Sequence, residues 1–197
     1  TDSPLQALHV NSGTENTASI FESTDATTQI WLKDSASSST YQTGIACFGD
    51  KLLLNNGGER MVIDSSGRLL VGKSAVDNTT VGFRFDGSSG FSSFVRDGGE
   101  PLYLNRKTSD GDILKFAKDG TTVGSIASRS GDLLIGTGDV GLRFDDGADA
   151  YIPFNVTTSA SRDNAIDLGA VSARFKDLYL SGNISVGGTI DGRDVAT

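Results

Sequence analysis

The sequence predicts an all-β protein of small modules stacked along one axis, with little helix. A short phrase is written three times, at 66–72, 130–136 and 181–187: a Gly turn, a strand of alternating aliphatic residues, and a second Gly. The chain has 25 Gly in 197 residues, which exceeds the usual share of about 7%. Short apolar runs with period-two alternation separate these turns, as in half-buried strands. Repetition on this scale indicates modules that stack on one another.

The phrase divides the chain into three β modules, 1–75, 76–138 and 139–197. The first module is predicted to end with the first copy of the phrase, after a Ser-rich loop at 34–40 and strands near 5–10, 18–21, 29–32, 44–48, 51–54 and 60–64. These runs alternate apolar and polar residues, which favours strands over helices.

The second and third modules open alike, with Val-Gly-Phe-Arg-Phe-Asp at 81–86 and Val-Gly-Leu-Arg-Phe-Asp at 140–145. Further strands are predicted near 91–95, 102–104, 113–116 and 121–126, and three Asp-Gly pairs predict hairpin turns at 97–98, 110–111 and 119–120. A short helical turn is predicted only near 170–176, where the composition suits a helix.

The aliphatic positions of the repeated phrase are predicted to be buried: Leu69, Val71, Leu133, Ile135, Ile184 and Val186. Modules this small bury little apolar area by themselves, and only 37% of the residues are hydrophobic. We therefore expect neighbouring copies to supply buried area in a parallel homotrimer, with an isolated chain that is not stably folded.

Charge and cysteine content narrow the classes of function. The net charge is −8 and there is no basic stripe, which argues against nucleic-acid binding because phosphate neutralisation supplies most of that affinity. No apolar run approaches the roughly 20 residues of a membrane-spanning helix, so no membrane insertion is expected. Cys47 is the one cysteine, so an intrachain disulfide is excluded. The chain begins at Thr1, and we expect it to be part of a longer protein.

Five stretches resemble tail-fibre proteins of tailed bacteriophages, including many from marine viruses. The most specific is the long phrase made of 162–169 and 174–182; the others are 7–10 with 21–27, 61–72 and 188–196. The resemblance implies an elongated trimeric fibre of stacked β modules, of an intertwined β-sandwich, β-prism or triple β-helix-like kind. It also implies a homotrimer in the extracellular virion tail that joins other tail proteins and binds a host cell-surface glycan or protein. Some such fibres end in a self-cleaving chaperone domain, which would follow this segment.

Few residues indicate catalysis or metal binding. His9 is the single histidine and lies in a predicted apolar strand, and Cys47, between Ala46 and Phe48, is interpreted as a small buried hydrophobe. A Cys/His nucleophile pair is formally available but has no further support. Clustered carboxylates can hold Ca²⁺, so Asp145, Asp146 and Asp149 are weak metal candidates, although their spacing differs from a calcium loop. We predict neither a catalytic residue nor a cofactor.

Aromatic side chains with polar neighbours in sequence are the better candidates for receptor contact, because sugar and protein surfaces often meet such rings. The alternative role for these residues is packing in a trimer core. The candidates are Trp31, Tyr41, Phe91 and Phe94.

Two functions from different classes follow. The favoured one is a virion structural protein, a tail-fibre segment for host attachment and not an enzyme. The alternative is a tailspike-like glycan hydrolase acting on host surface polysaccharide, which would need two carboxylates set across a cleft.

Overall fold

The protein is all-β, as the sequence predicts, and forms two antiparallel sheets. The computed structural model describes residues 13, 14, 17 and 19–185, and this part of the chain contains thirteen strands and no helix. The chain divides into two compact units, 1–103 and 104–197. Each unit contains one sheet. Among the described residues no helix is long and apolar enough to cross a membrane.

The first sheet has seven strands in chain order, each hydrogen-bonded to its neighbours in sequence. Such a meander needs only short connections between adjacent strands. Its strands are β1 (Thr27–Leu32), β2 (Thr43–Phe48), β3 (Lys51–Asn56), β4 (Glu59–Ile63), β5 (Arg68–Val71), β6 (Gly82–Asp86) and β7 (Phe91–Val95).

The second sheet has six strands, also in chain order. Its hairpins turn at Asp119-Gly120 and Ser130-Gly131, where both residues have positive φ, as two-residue turns of the mirror-image type require. The strands are β8 (Gly111–Lys118), β9 (Thr121–Arg129), β10 (Asp132–Thr137), β11 (Val140–Asp145), β12 (Ala150–Asn155) and β13 (Ala160–Ser161).

The three modules drawn from the repeated phrase differ from these two sheets. Their boundaries at 75/76 and 138/139 fall between strands that are hydrogen-bonded to each other, β5 with β6 and β10 with β11. Each of the first two copies of the phrase contains a strand that pairs on both sides, β5 with β4 and β6, and β10 with β9 and β11. The phrase therefore marks a strand inside a sheet and not the end of a unit.

Several local predictions are wrong. Residues 170–176 form no helical turn; Ala170 and Ala173 instead form an isolated antiparallel bridge. The third copy of the phrase forms no strand over its described residues, 181–185, because no neighbouring strand pairs with it there. The predicted turn at 97–98 and the predicted strand at 102–104 belong to the connection between β7 and β8, and the predicted turn at 110–111 is the point where that connection enters β8. The predicted strand at 5–10 lies outside the described residues.

Each sheet buries a short row of cross-strand neighbours on one face. In the first sheet the row is Ala46, Leu53, Val62 and Leu70. In the second sheet Leu134 packs with Ala127 and Phe154, and Val156 packs against them. Leu70 is 1% exposed and Leu134 is 2% exposed. We call this the polar face of each sheet, because charged residues flank the buried row.

The opposite face of each sheet, which we call the apolar face, is exposed in the single chain. In the first sheet it carries Ile30, Ile45, Cys47, Leu52, Leu54, Ile63, Leu69, Val71, Phe83, Phe85 and Phe94, and in the second Leu114, Phe116, Ile126, Leu133, Ile135, Leu142, Phe144 and Tyr151. Side chains alternate along a strand, so the middle leucine of the repeated phrase points away from its two aliphatic neighbours.

The prediction that the aliphatic positions of the repeated phrase are buried is therefore wrong for the single chain. In the first two copies the chain buries the leucine between those positions. Leu133 and Ile135 are exposed, as is Ile184, while Leu69 and Val71 are half-buried. Val186 lies outside the described residues. Cys47, predicted to be buried, is exposed on the apolar face. The members of this set that lie in strands, Leu69, Val71, Leu133, Ile135 and Cys47, all face away from the row that the chain itself covers.

Candidate functional site

Two arginines hold the same position on the polar faces of the two sheets. Arg84 in β6 lies opposite Leu70 of the first repeated phrase, and Arg143 in β11 lies opposite Leu134 of the second. Both arginines come from the repeated Val-Gly-x-Arg-Phe-Asp pattern. Their surroundings can therefore be compared residue by residue.

Arg143 is fully engaged by carboxylates. Its Nε donates a hydrogen bond to Asp132 Oδ2 at 2.6 Å, and its guanidinium also lies 3.2 Å from Asp145 Oδ2. The hydrogen bond from Arg143 holds the pKa of Asp132 below its ordinary value of 3.8, although burial opposes this shift. The same bond raises the pKa of Arg143. This arrangement is a charge-assisted network that joins β10 to β11.

Arg84 has no such carboxylate among the described residues. The repeated phrase has Arg68 where its second copy has Asp132, and Arg68 donates from Nε to Asp64 Oδ2 at 2.7 Å. The Nε of Arg84 and the Oγ of Ser93, on the opposite residue of β7, are both inaccessible to solvent and lack hydrogen-bond partners. The guanidinium carbon lies 4.7 Å from the centre of the Phe91 ring.

Two of the three acidic residues named near Asp145 lie close together in the structure. Asp132, Asp145 and Asp146 place one carboxylate oxygen each within 4.8 Å of one another, whereas Asp149 is not in this group. Asp132 was missed because it is 13 residues away in sequence and reaches Asp145 only through the pairing of β10 with β11. Carboxylates in this arrangement suit a hard cation, but Arg143 already binds two of them.

The turn after β11 borders a shallow depression. Its volume is about 330 Å³, and its walls include Asp149 together with the Phe144 and Tyr151 rings, which meet edge to face at 5.2 Å. Asp149 adopts a φ of 52° in this turn. The depression combines acidic and aromatic groups at one end of the second sheet.

Trp31 and Tyr41, two of the candidates for receptor contact, lie against each other in the structure. Their rings meet edge to face at 5.8 Å, and Trp31 Nε1 donates to Gln29 Oε1 at 3.0 Å. Trp31 lies against Gly44 of β2, where a Cβ would collide with the indole and with the Ile30 carbonyl. Trp31 and Gln29 also border a depression of about 580 Å³ with residues 20–23. These contacts hold an aromatic pair at the outer strand of the first sheet.

Phe91 and Phe94 are not brought together. They are three residues apart on β7, so they point to opposite faces. Phe91 lies on the polar face beside Arg84, while Phe94 lies on the apolar face against Phe83, with ring centres 4.8 Å apart. The two rings cannot form one contact surface within a chain.

The remaining sequence candidates give no site. His9 lies outside the described residues, so its pairing with Cys47 is not tested. The Cys47 Sγ donates to the Gly49 carbonyl at 3.2 Å.

Sequence reasoning missed Lys73, which is buried with its Nζ donating to the carbonyls of Asp77 at 2.8 Å and Thr80 at 3.0 Å. Its position directly after the Gly that ends the first phrase was the available signal. This lysine organises the loop between β5 and β6.

Neither a protein-family model, nor a curated protein, nor a solved structure matches this chain.

Proposed function

We propose that this chain is a segment of a homotrimeric tail fibre of a tailed bacteriophage, located in the extracellular virion tail and used for host attachment. The proposal begins from the sequence resemblance, whose most specific stretch spans 162–182. In this role the chain is a structural and adhesive protein without catalytic activity. It joins other tail proteins and contacts a glycan or protein on the host surface.

The apolar faces of the two sheets are the observation that carries the proposal. Aliphatic and aromatic side chains cover most of one face of each sheet and are exposed or half-buried in the single chain; Ile135, for example, is 42% exposed. Contiguous apolar patches of this kind are uncommon on soluble monomers and indicate a contact surface. In a parallel homotrimer, each sheet would meet the same sheet of two other copies, so apolar faces would cover one another.

The segment after β13 supports the same assembly. Its apolar side chains are among the most exposed of the described residues, with Val171 at 97% and Tyr179 at 89%. This segment lacks regular strands, and it includes the stretch that resembles tail fibres most specifically. Neighbouring copies in a fibre would supply the contacts that the single chain does not.

Attachment by such a fibre depends on rigid reach and on several equal contacts made at once. Three weak sites on one trimer bind with an effective concentration that raises overall avidity well above single-site affinity. The Trp31–Tyr41 pair is the best-defined contact candidate, because the Tyr41 ring, in the connection between β1 and β2, packs edge to face against Trp31 on the outer strand of the first sheet.

Sedimentation combined with an adsorption assay tests the proposal. The wild type should sediment as a trimer of the 20.6 kDa chain. Ile135→Asp should dissociate it, because a carboxylate would be placed in the apolar contact. The trimer should also block adsorption of the parent phage to host cells at lower concentration than monomeric Ile135→Asp.

Val81→Asp is the matched control, because Val81 is comparably exposed but lies outside the sheets. This variant should remain trimeric and should compete as the wild type does. A wild-type monomer that melts cooperatively would refute the trimer. A trimer that fails to compete with phage adsorption would refute the attachment role.

A further inference from the structure

Two neighbouring side chains of the first sheet, Arg84 and Ser93, each have a buried hydrogen-bonding atom without a partner. The Nε of Arg84 and the Oγ of Ser93 belong to directly opposed residues of β6 and β7, and both atoms are closed to solvent. Buried polar groups in folded proteins nearly always have a partner. Two neighbouring exceptions on one face therefore indicate that a group is missing there.

The second sheet shows which chemical group fits this position. At the equivalent Arg143, the Nε donates to the carboxylate of Asp132. The first sheet has Arg68 in place of that aspartate, and Arg68 is itself held by Asp64. The group that would suit Arg84 is thus a hydrogen-bond acceptor that carries negative charge.

The charges around Arg84 permit an incoming anion. Two arginines, Arg68 and Arg84, and two aspartates, Asp64 and Asp86, lie on this part of the polar face, and Arg68 pairs with Asp64. Asp86 accepts hydrogen bonds from Ser88 Oγ at 2.8 Å and from Ser88 N at 3.2 Å. In the second sheet, by contrast, three clustered carboxylates share the polar face with two arginines, Arg143 and Arg129. The first sheet is therefore the less repulsive of the two for an added carboxylate.

Phe91 defines how a ligand would enter. Its ring lies over the Arg84 guanidinium and is 41% exposed, on β7 at the outer edge of the sheet. Rotation of this one exposed side chain would uncover the face of the Arg84 guanidinium over which it lies. An aromatic ring in that place also offers an apolar surface to the body of a ligand.

We propose that Arg84 and Ser93 bind the carboxylate of a small organic acid, with a uronic-acid sugar as the representative ligand. Arg84 supplies the charge and a planar pair of N–H donors, Ser93 supplies the second hydrogen bond, and Phe91 contacts the sugar ring. The site is complete within one chain, so it holds whether or not the chain assembles into a trimer.

Nuclear magnetic resonance titration with glucuronate tests the site. Saturable shifts are expected for the Arg84 Nε–H and for Phe91, and uncharged methyl glucoside should leave both unchanged. Arg84→Ala should weaken glucuronate binding by about tenfold or more, as expected when a charged hydrogen bond is lost. Arg96→Ala is the control, because Arg96 is an exposed arginine elsewhere, and it should bind as the wild type does.

A second variant fills the site from within the chain. Arg68→Asp places a carboxylate where the second sheet has Asp132, so it should compete with glucuronate and abolish binding while Arg84 is retained. The double variant Asp64→Ser with Arg68→Asp gives the same readout without repulsion between neighbouring carboxylates. Undiminished binding by Arg84→Ala, equal binding of methyl glucoside, or no saturable shift in the wild type would each overturn the proposal.

Discussion

The two sheets use the same repeated phrase for the same apolar role but for different electrostatic roles. Leu70 is the most buried residue of its row, Leu134 is as buried as Phe154 in the other, and Leu69 and Leu133 both point to the apolar face. The charged residue before them differs, Arg68 in one phrase and Asp132 in the other. That single change leaves Arg84 without a carboxylate and surrounds Arg143 with several. Because side chains alternate along a strand, corresponding leucines are buried in both copies of the phrase. Charge pairing differs between the copies, because it depends on which charged residues lie on the neighbouring strands.

The glycines two residues before these arginines also hold equivalent positions with different surroundings. Gly82 precedes β6 residue Phe83 with a φ of 135°, and a Cβ there would meet the Val71 carbonyl and the buried Lys73 side chain. Gly141 is equivalent in the second sheet, but a Cβ there would first meet the Val156 side chain. The first glycine is required by its backbone conformation and the second by a neighbouring side chain.

The largest expected effect is loss of the buried leucines. Leu70→Ala and Leu134→Ala should each lower the free energy of unfolding by about 2–5 kcal/mol, because both leave a cavity in a row that the chain itself covers. Urea unfolding of the two variants measures this. Similar costs would support equivalent roles for the two phrases. A cost below that of Thr121→Ala, an exposed strand residue, would show that the rows are not cores.

The glycine comparison predicts an intermediate effect. Gly82→Ala and Gly141→Ala should each cost about 1–3 kcal/mol through overpacking. The cost of Gly141→Ala should fall when Val156 is already Ala, because the obstructing methyl group is gone. The cost of Gly82→Ala should be unchanged when Lys73 is already Ala, because the backbone strain and the Val71 carbonyl remain. Double-mutant cycles from urea unfolding measure both couplings; equal couplings at the two sites would contradict this distinction.

The smallest effect concerns the charge pair and its dependence on pH. The pKa of Asp132 is below 3.8 in the folded chain because Arg143 donates to it, so the unfolded chain binds a proton more readily. Acidification through the region of 3.8 and below should therefore reduce stability. Asp132→Asn should melt at lower temperature than the wild type at neutral pH and lose less stability on acidification.

Asp119→Asn is the control for that measurement, because Asp119 is exposed in the β8–β9 turn. Its melting temperature should follow the wild type at every pH. Asp64→Asn tests the corresponding pair of the first sheet, whose carboxyl pKa is also lowered: burial opposes the shift, but hydrogen bonds from Arg68 prevail. If the melting temperature of Asp132→Asn falls with acidification as steeply as that of the wild type, the Asp132–Arg143 pair is not the source of the pH dependence.

The candidate site was only partly predictable from sequence. Trp31 and Tyr41 could be named as aromatics with polar neighbours, but their contact depends on the Ser-rich loop returning to the outer strand. Phe91 and Phe94 were named together, although an odd spacing along a strand places them on opposite faces. Arg84 carried no signal by itself. Its missing partner becomes visible only when the first sheet is compared with the second.

The sequence by itself determined the all-β class, most strand positions and the Asp119-Gly120 turn, because alternation and turn residues act over a few neighbouring positions. Tertiary structure decided which face of each strand is buried, which charges pair, and that the repeated phrase lies inside a sheet. Those outcomes depend on strand register, which joins residues such as Asp132 and Asp145 that are distant in sequence. A period of two reveals that a strand has two different faces, but only the neighbouring strands determine which of them the chain covers.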